Sequence, residues 1–311
     1  MQRLVLTSFV IGLSGCGGCG AKTKVEPTKA VAQPQRAELP VEPAQARNAL
    51  IEQVKKTPAP VVVIALDGET LFDASGRSRR IFLEVLAEAG KNDLMRTVME
   101  RVEQGAPLRN QADYIRAAGI TDEKLLDLLK RRFNERLTSD AYIPDDQPRQ
   151  GGEAFFRALY QAGCTLVYVG KDDLIRSGPG WIQVLRNNSY PVLAPRAYLM
   201  LPPRPGSGDE AFEKDRFETI AGLGEVVATF SVLKADQDKL AKAYPKAHAV
   251  VMQPLTKSDR PGWVDFKMPP PAPPVVDAEE ASAATGGSTT GVSTPESATG
   301  TTGSAGATGA P

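Results

Sequence analysis

The sequence predicts an α/β fold: a doubly wound, Rossmann-like parallel sheet of about five strands with a helical cap inserted after the first strand. Three observations carry that expectation. Short apolar runs recur between residues 61 and 252, helical patterns separate most of them, and one long interval after the first run holds several helices and no strand.

The first run, Val61-Val62-Val63-Ile64-Ala65-Leu66, is continuous rather than alternating, as in a strand buried on both faces. Similar runs follow at Thr165 to Val169, Ala197 to Leu201, Glu225 to Phe230 and His248 to Met252. Helical segments lie between them at Glu153 to Ala162, Gly180 to Asn187, Glu210 to Leu223 and Asp236 to Tyr244. Gly222-Leu223-Gly224 precedes a strand instead of following one, so it reads as a turn and not as a dinucleotide loop. The interval without strands contains Ser78 to Ala89, Asn92 to Glu103, Gln111 to Ala118 and Thr121 to Leu137. An insertion at this point sits over the C-terminal edge of the sheet, where ligands bind in open α/β folds, and it defines a cap of about residues 78–140. The last cap helix opens on Thr121 as its expected cap. Asp122 and Glu123 stand in the positive first turn, and Lys130, Arg131 and Arg132 toward the negative end.

Composition bounds the function. The 311 residues carry 37 Lys+Arg against 37 Asp+Glu, without the clustered cationic excess that phosphate-backbone affinity needs, so no nucleic-acid partner is expected. One histidine, His248, and three scattered cysteines argue against a zinc site. Cys164, beside a strand, reads as a small buried apolar residue. Trp181 and Trp263 read as packing residues. Ala21 to Pro60 is rich in Pro, Ala, Gln and Lys and reads as a tether with room for one short helix at Ala44 to Lys56. No Lys or Arg follows Lys267, and the Pro, Gly, Ser, Thr and Ala beyond it have almost nothing to bury, so 268–311 is expected to be a disordered tail.

The N-terminus reads as an address. Met1-Gln2-Arg3 is a short basic start, and Leu4 to Leu13 is an apolar run too short to span a bilayer. It ends in Leu13-Ser14-Gly15-Cys16, which resembles the lipobox of bacterial lipoproteins. That resemblance implies a signal peptide over 1–15, acylation of Cys16, and a lipidated cysteine with a flexible linker over 16–57. It implies anchoring to membrane lipid in the bacterial cell envelope, on the periplasmic face of the outer membrane if the host has two membranes. Cys16-Gly17-Gly18-Cys19 is formally a C-x-x-C, but a redox pair wants a folded helix start to lower its thiol pKa, and a glycine-rich tether does not offer one.

At the end of the first strand stands Asp67-Gly68-Glu69-Thr70-Leu71-Phe72-Asp73, and at the second Ala162-Gly163-Cys164-Thr165-Leu166-Val167-Tyr168-Val169-Gly170-Lys171-Asp172. These resemble motifs one and two of the haloacid dehalogenase-like (HAD) phosphohydrolases, and the resemblance extends over roughly residues 60–255. It implies a HAD-like domain over 58–267. In that family an aspartate attacks phosphorus, a second is general acid and base, and Mg²⁺ neutralises the phosphate. Carried onto this chain, Asp67, Glu69 and Lys214 take the catalytic roles, and Thr70 and Lys171 bind phosphate.

The pattern also departs from the family. Without a gap, the two aspartates fall on Leu66 and Gly68, and Asp67 and Glu69 fit only after a shift of one residue. The motif-three lysine falls on Glu213, with Lys214 one place, roughly 100° of helix, away. Phe230-Ser231-Val232-Leu233-Lys234 replaces the carboxylate-rich turn that would hold the metal. The expectation is therefore an impaired scaffold or binding protein with no metal and no cofactor. Its partner would be a protein or a small anionic ligand at the cap cleft. The alternative is an exported Mg²⁺-dependent phosphatase that forms an aspartyl-phosphate.

Overall fold

The computed structural model describes residues 38–67, 69–255 and 262–270. The expected signal segment 1–15, Cys16, Gly68 and nearly all of the 268–311 tail lie outside the described residues.

The described chain opens with α1 (Pro43–Lys56), β1 (Pro60–Leu66), the two-residue strand β2 (Phe72–Asp73), and the cap helices α2 (Ser75–Glu88), α3 (Asn92–Glu103), α4 (Gln111–Ala118) and α5 (Glu123–Leu137). A 3₁₀ turn (Ile143–Asp145) leads to β3 (Gln147–Pro148). Then come α6 (Gly152–Gln161), β4 (Thr165–Gly170), α7 (Leu174–Asn187), β5 (Ala197–Met200), α8 (Glu210–Leu223), β6 (Glu225–Ser231), α9 (Lys234–Ala243) and β7 (His248–Val251). The five expected strands are all present and all parallel, in spatial order β5-β4-β1-β6-β7. All seven residues of β1 are buried, which is why its apolar run is unbroken.

One face of the sheet packs on an aromatic core in which Phe155, Phe156, Phe230, Trp263 and Phe266 contact one another edge-on or stacked. Cys164 is in this core, and burial pushes its thiol up to about 12. His248 lies 2.8 Å from the Gln53 side chain of α1.

The flexible linker expected over 16–57 ends sooner, because α1 is part of the globular unit. Glu42 caps it by accepting from the Gln45 N–H at 2.7 Å, and Pro43 opens it. Ala46, Leu50 and Val54, four residues apart, are buried in the aromatic core, at about 1.5–3 kcal/mol for each of the two larger side chains. Arg47 lies over the Trp263 ring and donates to the carbonyls of Asp265, at 2.9 Å, and Lys267. The N-terminal helix and the last described segment thereby hold each other.

The cap hangs on a stalk. β2 and β3 pair antiparallel, Phe72 opposite Pro148 and Asp73 opposite Gln147. Helices α2 to α5 enclose a separate core in which Phe82 stacks on Tyr114 with Leu129 and Phe133 nearby. The N-cap of α5 is Asp122 and not Thr121, since the Asp122 carboxylate reaches both Lys124 N–H and Leu125 N–H. α7 starts at Leu174 against the expected Gly180. Asp173 caps it, the Ser177 hydroxyl holds the Asp173 carbonyl at 2.7 Å, and Pro179 is accommodated inside. Gly180 is required there: a Cβ would lie 2.7 Å from the Asp140 backbone, where the cap connection crosses the helix.

Candidate functional site

The central strands end side by side, with Leu66 of β1 opposite Gly170 of β4. Asp67 and Lys171 stand just beyond them, and β6 ends next door at Ser231. Asp67 is enclosed by hydrogen-bond donors. Its Oδ1 accepts from Thr70 N–H at 2.8 Å, Thr70 Oγ1 at 2.7 Å and Glu69 N–H at 3.2 Å. Its Oδ2 accepts from Ser231 Oγ and Val232 N–H, each at 3.1 Å, and from Leu233 N–H at 3.4 Å. Thr70 is fully buried, and its hydroxyl also accepts from Val232 N–H at 3.0 Å. A carboxylate offers about four lone-pair sites, and these donors engage both of its oxygens, although Asp67 is half-buried and lines the adjoining cavity. The outcome is a fastener between the turn after β1 and the turn after β6.

Glu69 faces elsewhere. Its Oε2 accepts from Leu255 N–H at 3.3 Å, and its carbonyl is held by Nε of buried Arg149 at 2.5 Å. Arg149 also donates to the carbonyls of Val264 and Gln253, each at 2.7 Å, so all three of its nitrogens serve the backbone. Burial holds its pKa below the ordinary arginine value.

Lys214 is 78% exposed, with Glu218 at 3.9 Å, and Lys234 points away to Asp238 at 2.6 Å. Lys171 remains at the strand ends, but its Nζ is 2.6 Å from Asp236 of α9. The five residues expected to form a site are thus not one cluster: Asp67 and Thr70 bind each other, Lys171 lines the same cavity as Asp67 but pairs with Asp236, and Glu69 and Lys214 are turned elsewhere.

Beside the fastener, between the sheet edge, the cap, α8 and α9, lies a cavity of about 210 Å³. Its walls are partly apolar, through Leu66, Val169, Trp181, Phe217, Leu233 and Leu240. Its charged groups are mostly ones the motif reading passed over. Arg216 is 8% exposed and donates to the carbonyls of Gly170 at 2.7 Å and Met200 at 3.4 Å, while its Nε has no partner. Burial lowers its pKa, opposed chiefly by Glu213. Glu213 itself pairs with Lys239 at 2.8 Å. Residue 216 is three places from 213 on α8, so the two share a face, whereas Lys214 is turned out. Helix phase was the signal that could have found Arg216.

On the cap side stand Arg77 and Asp172. Burial raises the Asp172 pKa, with Arg77 and the Trp181 indole pulling it down. Arg77 donates to the Leu137 carbonyl at 2.6 Å, tying the start of α2 to the end of α5. Its Nε is 3.1 Å from Oδ1 of Asp146 at the foot of the stalk, without hydrogen-bond alignment. Burial pushes Asp146 up to about 7, against the pull of Arg77.

Magnesium is the ion that the motif resemblance implies, and the residues present do not fit it. A hard cation wants oxygen acceptors, yet the turn after β6 turns a hydroxyl and two backbone N–H groups toward Asp67. Among the described residues, no three His, Cys, Asp or Glu side chains are grouped to hold a metal ion.

No protein-family model matches the chain, and no curated protein matches it. Among solved structures it is similar to a hydrolase from Streptococcus pneumoniae TIGR4, at 13% identity and a TM-score of 0.31, over 54% of this chain and 79% of that one. It is also similar to a HAD family hydrolase from Deinococcus radiodurans R1, whose structure holds phosphate and sodium, at 16% identity and a TM-score of 0.21, over 59% of this chain and 95% of that one.

Proposed function

We propose that the chain is a bacterial lipoprotein whose HAD-like domain binds a ligand or partner at the cap cleft and does not catalyse phosphoryl transfer. The motif resemblance at the ends of β1 and β4, together with a cap inserted directly after the first strand, supports the HAD-like reading. The Leu13-Ser14-Gly15-Cys16 signature supports a lipid anchor at Cys16 in the cell envelope.

The single observation that carries the non-catalytic reading is the engagement of both Asp67 oxygens by donors. A nucleophile needs a lone pair facing an open reaction centre, and here donors from Thr70, Ser231 and Val232 occupy both oxygens at 2.7–3.1 Å. Two further features agree. Lys171, which would meet a phosphate, meets Asp236 instead. The metal cradle is replaced by a turn of hydrogen-bond donors, and a cation beside donor hydrogens is repelled.

The test is hydrolysis of p-nitrophenyl phosphate by the full chain, with and without Mg²⁺, alongside Asp67→Asn. The expected result is no Mg²⁺-dependent rate above the protein-free control for either protein. A Mg²⁺-dependent rate that Asp67→Asn abolishes would establish the phosphatase alternative. The anchor is tested separately: cells given labelled palmitate should label the wild type and not Cys16→Ser.

A further inference from the structure

Three arginines of the cap each face an aspartate of the stalk. Arg109 lies 3.2 Å from Asp73 of β2, Arg80 lies 2.9 Å from Asp145 of the 3₁₀ turn, and Arg77 lies 3.1 Å from Asp146, just before β3. The first two pairs are hydrogen-bonded and open to solvent. The third is sealed. Arg77 and Asp146 are 4% and 1% exposed, and neither Asp146 oxygen nor the Arg77 Nε has an aligned partner. Burial without donors disfavours an ionised carboxylate and favours its acid form. Burial is accordingly the largest influence on the Asp146 proton and raises its pKa to about 7; Arg77 opposes it, and Asp73 and Asp145 add to it. On the far side of Arg77 stand Asp172, after β4, and the Trp181 ring of α7, with Arg176 of α7 also acting on Asp172.

This pair sits where the cap joins the sheet domain. The stalk strands are two residues each, Phe72–Asp73 against Gln147–Pro148. Arg77 Nη1 donates to the Leu137 carbonyl at 2.6 Å, which ties the start of α2 to the end of α5. Arg77, Leu137 and Thr138 also line the cap side of the cavity. A guanidinium is a rigid planar fork, so bringing its Nε into line with an ionised Asp146 swings Nη1 off the Leu137 carbonyl. Solvating the carboxylate instead requires water to enter beside Arg77. Either response unfastens the same wall.

We propose that Arg77 and Asp146 form a proton-operated latch: with Asp146 neutral the cap side of the cavity is closed, and loss of its proton opens it. This goes beyond the reading of the cleft as a binding site and sets when that cleft is accessible. The sign follows from linkage. The closed form binds the proton more tightly than an open, hydrated form with the ordinary value of 3.8, so closure is strongest below that value and is lost as pH rises through about 7.

The experiment is native-state hydrogen exchange of the full chain between pH 5 and pH 8, with rates corrected for the intrinsic pH dependence of exchange. The reporters are the amides of 137–147, among them Asp140 N–H, held by the Arg176 carbonyl at 2.8 Å. The amides of β1 are the reference for whole-chain unfolding. The 137–147 amides should be less protected than β1, as a local opening requires. They should lose roughly tenfold or more of their protection between pH 5 and pH 7, with little further loss above that. Asp146→Asn should hold them near the wild-type pH 5 level throughout, whereas Asp145→Asn should keep the wild-type response. If Asp146→Asn does not fold, the wild-type and Asp145→Asn profiles decide. Protection that is flat with pH, or a pH response that survives Asp146→Asn, overturns the latch. So do 137–147 amides that match β1 at every pH, because Asp146 would then act only on unfolding of the whole chain.

Discussion

Two aspartates near the C-terminal edge of the sheet occupy opposite surroundings. Asp67 is partly buried and ringed by donors from Glu69, Thr70, Ser231, Val232 and Leu233. Asp146 is 1% exposed, with Arg77 at 3.1 Å and neither carboxylate oxygen in an aligned hydrogen bond. The difference teaches that the donors around a carboxylate, more than its place in the fold, decide what it does. Donors hold Asp67 in one orientation and engage both of its oxygens. Burial without donors leaves Asp146 responsive to protons near neutrality, at the foot of the stalk that carries the cap.

The largest effect should come from dismantling the sealed side. Arg149→Ala removes the donors for the carbonyls of Glu69, Val264 and Gln253 and should cost on the order of 4 kcal/mol in urea unfolding. A cost under about 1 kcal/mol would mean that this turn is not sealed as described.

The stalk gives the next largest, and it depends on pH. The folded pKa of Asp146, about 7, lies above its ordinary 3.8, so the folded chain holds the proton more tightly. That stabilisation is complete below the ordinary value and is lost as pH rises through about 7. Asp146→Asn cannot titrate. Between pH 4 and pH 8 the unfolding free energy of the variant should therefore fall less than that of the wild type, by up to about 4 kcal/mol. Parallel curves would erase the contrast between the two aspartates.

Smaller effects sharpen the picture at the cavity rim. Lys171 is 58% exposed, so Lys171→Met should cost only about 0.5 kcal/mol despite its 2.6 Å pair with Asp236. Lys214→Ala should be smallest, within about 0.5 kcal/mol of the wild type and without effect on any binding at the cleft, because Lys214 faces solvent.

Much of the fold was legible because it rests on local pattern. Val61 to Leu66 and its counterparts at 165, 197, 225 and 248 read as strands from apolar continuity alone, and all five pair as expected. The helix at Ala44 to Lys56 was legible, but its place in the core was not: the Pro, Ala and Gln around Ala46, Leu50 and Val54 read as a tether, whereas the helix is held to a segment more than 200 residues away. The first turns of α7 were hidden because Ser177-Gly178-Pro179-Gly180 reads as a break, whereas Asp173 caps a helix that runs through it. The site was least legible. Asp67 could be located at a strand end, but its role is set by Ser231 and Val232, 164 and 165 residues on. Arg216 was overlooked because the motif reading fell on Glu213 and borrowed its neighbour Lys214, while helix phase pointed three residues past Glu213.

The most direct test of the central claim is the unfolding free energy of Asp67→Asn in urea at neutral pH. The amide puts a donor where Thr70, Ser231 and Val232 already donate, so the variant should be less stable by about 2 kcal/mol. A variant as stable as the wild type, or more stable, would contradict the account: it would mark Asp67 as a charge kept for chemistry at a cost in stability.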